Sequence, residues 1–195
     1  MTRTKSSLLV AALLCAGVVH AAPITYTAAL SGAAENPPNA STGTGFTTVI
    51  YDPDLHTLQV TATFSDLVAP STVAHIHCCV EAPGTAAPAT TMPTFPGFPA
   101  GVMAGAYDQL FDLTLDGSFN QDFIDLNGGG TVAGAEAALA AGLAARQAYL
   151  NIHSEAFPGG EIRGFLTAVP EPATLALLGI GLLGLGLSRT RLALA

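Results

Sequence analysis

The run "TLQVTATFSDL", from Thr57 to Leu67, sets Leu58, Val60, Ala62 and Phe64 against Gln59, Thr61 and Thr63 in strict alternation. Successive side chains of a strand point to opposite faces, so a period of two describes a strand with one face on a core and the other in water. That pattern belongs to antiparallel sheets. "FTTVIY", Phe46 to Tyr51, runs into it through "DPDLH". Asp-Pro-Asp presets a turn, so the two segments predict a hairpin, with His56 as a solvated turn residue.

Other segments extend the sheet. "ITYTAALSG" (Ile24 to Gly32) is rich in β-branched residues and breaks at "ENPPNASTGTG", a loop by its Pro, Asn and Gly content. "TVAHIHC" ends at Cys78, and "YDQLFDLTL", Tyr107 to Leu115, reads as another strand. Between them, Glu81 to Gly105 is Pro-, Gly-, Ala- and Thr-rich without a period; loops of that length inside one domain are commonly functional or mobile. "SFNQDFIDLNGGG" predicts a short helix, with Ser118 and Gln121 as its capping box. "TVAGAEAALAAGLAARQ" predicts a second, with Val132, Ala135, Leu139 and Leu143 on one stripe. "AYLNIHS" and "GEIRGFLTAV" close the domain around "EAFPGG". The fold class expected is mainly β: an antiparallel β-sandwich, immunoglobulin- or superoxide-dismutase-like in outline, with a short helical insertion before the last hairpin.

The two ends read differently. Arg3 and Lys5 precede an apolar run, Leu8 to Val19, and Val19 and Ala21 suit the positions before a signal-peptidase cut. Residues 1–21 are therefore expected to be a signal peptide, which removes Cys15. At the far end, Pro170, Glu171 and Pro172 precede an apolar stretch, 173–187, and then Arg189 and Arg191. Fifteen residues of helix reach only about 22 Å, short of a hydrocarbon core of ~30 Å, and the arginines favour a cytoplasmic end. Proline punctuation, short apolar helix and basic tail in this order resemble the PEP-CTERM sorting signal of Gram-negative bacteria. The resemblance implies export across the inner membrane, transient or retained membrane anchoring through the tail (residues 169–195), processing by an exosortase, and delivery to the cell surface or beyond.

One domain remains, residues 22–168. It holds thirteen of the fourteen acidic residues but only Arg146 and Arg163 as basic ones, a formal charge of −11. Nucleic acid and anionic lipid need clustered Lys and Arg, so nucleic acid is excluded as a partner.

The chemistry lies in "AHIHCC" and "YLNIHS". His75 and His77, two apart in a strand, share a face, with Cα atoms about 6.6 Å apart. If the strand carrying His153 is their neighbour, three imidazoles converge, a donor set suited to Cu²⁺ or Zn²⁺ with an open fourth position. Hydrogen bonding to backbone or to a buried carboxylate is the alternative use of such histidines. Cys78 and Cys79 are the only cysteines left after signal cleavage, and an exported chain meets an oxidising compartment. A vicinal disulfide and an intermolecular bridge stand equal as readings, with metal ligation third. In "FPGGEIRG", Glu161 and Arg163 are expected to share a strand face. Buried Arg163 needs a carboxylate, for which Glu35 and Glu161 are the candidates, as a structural ion pair. No nucleophile elbow, phosphate loop, dinucleotide fingerprint or calcium loop is present.

"LSGAAENPP", "GTG", "AHIH", "YLNIHS" and "PGGEIRGFL", in that order from about Tyr26 to Leu166, resemble the CHRD domain first named from chordin. The resemblance implies a compact β-rich domain, and in chordin such modules belong to an extracellular binding protein, not an enzyme. "HIH" is also similar to the copper-binding strand of Cu/Zn superoxide dismutase, but a clear fourth copper histidine and the acidic zinc set are missing. The "CC" pair and the long Pro-rich loop depart from the simplest CHRD pattern. The functional expectation is an exported, non-enzymatic module acting by binding or as matrix, with an extracellular polymer or protein as partner. The alternative is a copper or zinc protein, redox-active or not, built on His75, His77 and His153.

Overall fold

The computed structural model describes residues 21–170. The expected signal peptide except its last residue, Ala21, the expected tail helix, Glu171, Pro172, Arg189 and Arg191 lie outside these residues; Pro170 is the last one inside.

Eight antiparallel strands form one continuous curled sheet with two helices, as the alternation requires. The strands are β1 (Ile24–Ser31), β2 (Thr44–Asp52), β3 (Thr57–Ser65), β4 (Ser71–Cys78), β5 (Gly105–Asp112), β6 (Ala148–Ser154), β7 (Ile162–Phe165) and β8 (Thr167–Ala168). Their order is β4-β6-β7-β1-β2-β3-β5, with β8 beside β1. β2 and β3 form the expected hairpin, from Thr44↔Ser65 to Asp52↔Thr57. Leu58, Val60, Ala62 and Phe64 are buried while the alternate threonines face outward. β5 ends three residues earlier than expected, because Asp112 caps a turn by accepting from the N–H and hydroxyl of Thr114.

The helical insertion precedes the β6–β7 hairpin: α1 (Gln121–Leu126) and α2 (Val132–Ala144). Asn120 caps α1 by accepting from the Asp122 N–H. Ser118 instead donates its hydroxyl to the Asp112 carbonyl, so the expected capping box is displaced by two residues. α2 buries Ala135, Leu139 and Leu143 as its stripe predicts, together with Glu136. Glu136 accepts from the Tyr51 hydroxyl and meets the His56 ring nitrogen at 2.9 Å, tying α2 to the hairpin turn. His56 is thus half-exposed but engaged, not merely solvated.

Cys78 and Cys79 are joined to each other. Their sulfurs lie against Gly142 of α2, where a Cβ would come within 2.2 Å of the Cys78 Sγ. Only glycine lets helix and disulfide approach that closely. The Pro-rich segment after them runs along the outer edge of β4. Phe95 and Ala89 donate their N–H groups to the carbonyls of Ala74 and Ile76. The threonine hydroxyls of Thr94 and Thr90 accept from the N–H groups of Ala74 and Ile76. An edge that otherwise invites pairing with another chain is covered this way.

Candidate metal centre

On β4, Ala74, Ile76 and Cys78 face the apolar core, so alternation turns His75 and His77 to the other face. β6 is the direct neighbour of β4, with His75 opposite Asn151 and His77 opposite Tyr149. Opposed residues share a face, so Tyr149, Asn151 and His153 line up beside the histidine pair. The three imidazole centroids stand 5.6 to 5.9 Å apart. One ligand atom from each ring lies within 4.8 Å of the other two, and all three residues are buried.

The outer contacts of the rings decide their chemistry. His75 donates from Nε2 to the Pro93 carbonyl at 2.7 Å, and His77 from Nδ1 to the Ala86 carbonyl at 2.8 Å. His153 donates from Nδ1 to the Pro158 carbonyl at 2.9 Å. A carbonyl only accepts, so each contact places the proton on that nitrogen and leaves a lone pair on the other. Those other atoms, His75 Nδ1, His77 Nε2 and His153 Nε2, are buried and without a protein partner. Metal-binding imidazoles are commonly held in this way, one N–H fixed by a carbonyl and the other nitrogen free for the ion. Nitrogens sharing one Zn²⁺ at about 2.0–2.1 Å stand roughly 3.3–3.6 Å apart, so a small inward tilt of the rings closes the observed span. The donor set fits Cu²⁺ or Zn²⁺.

Burial keeps the rings neutral: it lowers the pKa of His75 and His153, and that of His77 to about 4. The other rings and Arg163 push His77 the same way, against the Ala86 carbonyl. The sign for stability follows. The unfolded chain protonates these imidazoles near 6.5, whereas the folded domain resists until His77 reaches about 4. The metal-free domain is therefore expected to lose stability as pH falls from about 6.5 toward 4. Glu35 opposes this trend. Burial raises its carboxyl to about 7 against the pull of Arg163, so its contribution is present below the unfolded value near 4.3 and lost as pH rises through 7. Three imidazoles against one carboxyl leave the net slope toward acid instability, measurable as a falling urea midpoint with chelator present.

The surroundings tie the centre to two loops. The Tyr149 ring stacks on His77 at 4.8 Å, and its hydroxyl bonds both the N–H and the carbonyl of Ala86. Arg163, 1 % exposed, lies over the Tyr149 ring and donates to the carbonyls of Ala34, Pro83 and Gly84. Its carboxylate neighbour is Glu35, at 3.7 Å. Glu161 does not meet Arg163. β7 begins only at Ile162, so strand alternation does not extend to Glu161, whose Oε1 accepts from the Ser41 hydroxyl and the Val68 N–H. The disulfide leaves neither cysteine free for a metal or for a second chain.

Sequence reasoning brought the three histidines to one surface on the condition that their strands are neighbours, which β4 and β6 are, but missed Tyr149, although it shares their alternation on β6. It also missed Ala86, Pro93 and Pro158, which act through backbone carbonyls and carry no side-chain signal. Among the described residues no helix is long and apolar enough to cross a membrane.

The family model of the CHRD domain matches residues 26–166, and that of the PEP-CTERM protein-sorting motif matches residues 168–191. No curated protein and no solved structure matches the chain. The chain belongs to the CHRD domain family and, through its PEP-CTERM motif, to the proteins exported and sorted by that signal.

Proposed function

We propose that this exported domain is a metal-binding module of the cell surface or extracellular space. It takes up one copper or zinc ion through His75 Nδ1, His77 Nε2 and His153 Nε2, and acts by binding, not by turnover. The observation that carries the reading is the set of three buried lone pairs facing one another, each fixed by a carbonyl on the opposite side of its ring. Buried polar atoms without partners are rare in folded proteins and call for an explanation at each site. Three of them together in one cluster of neutral imidazoles find that explanation in a shared cation. When bound, the ion supplies a Lewis-acidic centre; the chain's part is to hold three neutral donors in place and to exclude bulk water.

The test is elemental analysis of the exported chain, purified without chelator and again after loading with Cu²⁺ or Zn²⁺. One ion per chain is expected, with affinity falling at least about 100-fold in His153→Ala. A chain that stays metal-free after loading makes the histidines structural and leaves a module that binds only an extracellular polymer or protein.

A further inference from the structure

We propose that Asn151 orients a water molecule as the fourth ligand of the ion, an inference that rests on the three-histidine reading above. Among the described residues, no carboxylate or thiolate joins the histidine group. Three imidazoles leave a further position to a ligand from outside the chain, as in open zinc sites. The polar residue next to the histidines on this face is Asn151. It is the cross-strand partner of His75, sits two residues before His153 on the same face, and is 3 % exposed.

Its Oδ1 is buried and accepts no hydrogen bond from the protein. The neighbours on this face do not supply one. The histidine nitrogens turned inward are themselves acceptors, and the Arg163 opposite on β7 directs three of its five N–H groups to Ala34, Pro83 and Gly84 and none to Asn151. A water bound to a cation is a strong donor with two protons, and a donor is what Oδ1 lacks. Gly160 makes room for the amide. A Cβ there would stand 2.4 Å from Asn151 Nδ2, and its φ of +129° is one that side-chain-bearing residues rarely adopt.

The same turn also lines a cleft of about 360 Å³, together with Pro37, Pro38 and Phe157. The inner side of that turn touches the centre twice, through the Pro158 carbonyl on His153 and through Gly160 against Asn151.

The experiment loads the full chain with Co²⁺, whose visible bands report coordination, and titrates with azide. Azide competes for the fourth position and has no proton to give to Oδ1. Native protein is expected to bind Co²⁺ and change its bands with azide. In Asn151→Ala the water loses its acceptor, so azide should bind about ten-fold more tightly, while Co²⁺ affinity stays within a few-fold. In Asn151→Asp, of the same shape and negatively charged, azide should bind more weakly; this variant decides the matter if the alanine variant does not fold. Bound cobalt whose bands ignore azide, or an azide affinity unchanged in both variants, overturns the role of Asn151 and leaves the three-histidine site standing. A chain that binds no cobalt overturns both.

Discussion

Replacing Arg163 by methionine is expected to lower the unfolding free energy by about 3–5 kcal/mol, the scale for removing one partner from a buried charged network. The guanidinium holds three carbonyls from two separate loops, Ala34 on one and Pro83 and Gly84 on the other, and lies beside Glu35. Methionine replaces its volume but leaves the three carbonyls without their guanidinium donor and the Glu35 carboxyl without its charged neighbour. Arg163→Lys keeps the charge but not the planar fork, so it should fall between the two. Urea unfolding at pH 7.5 measures both. A loss below about 1 kcal/mol would mean that water replaces the guanidinium at little cost, and the loops would then not depend on it. The consequence for the centre is indirect: the loop that Arg163 holds at Pro83 and Gly84 continues to Ala86, the carbonyl that fixes His77.

Metal should stabilise the domain by a comparable amount. An ion that binds only the folded state at 1,000 times its dissociation constant adds about 4.1 kcal/mol. For a domain of this size that is a rise of roughly 8–16 °C in the melting midpoint. Chelator should reverse it, and His77→Ala should abolish the rise. A shift of equal size in native and His77→Ala protein would place the binding elsewhere on this acidic surface. Calorimetric scans of the two proteins with and without Zn²⁺ distinguish the cases.

How much of this was legible depended on the kind of signal. The alternation at Leu58–Phe64 revealed a half-buried strand because side-chain identity alone carries it. The spacing of His75 and His77 revealed a shared face for the same reason. That His153 joins them was conditional on β4 and β6 being neighbours, a fact of topology that no local spacing encodes. The carbonyls of Ala86, Pro93 and Pro158 were invisible because every residue has one. The segment from Glu81 to Gly105 looked structureless because it covers the edge of β4 through scattered backbone bonds and threonine hydroxyls, which have no period. The ion-pair partner of Arg163 was narrowed to two, and the difference turned on where β7 begins.

The strand order has a consequence for when the centre comes into being. β4, with two of the ligands, pairs not with β3 or β5, the strands next to it in sequence, but with β6, and only β7 links that pair to β1. Synthesis alone cannot assemble such a site early. The β2–β3 hairpin closes over a short turn and β5 joins it across residues 66–104, whereas His75 and His77 wait for a residue 76 positions beyond His77. Long-range pairings of this kind are slow and come late, since the loop entropy is lost before the contacts form. A chain still emerging, or held unfolded for passage across a membrane, has no three-histidine cluster to offer. An ion held by this site would therefore be drawn from the compartment where folding finishes, and the metal supply of that compartment, rather than of the cytoplasm, would decide which ion the domain carries.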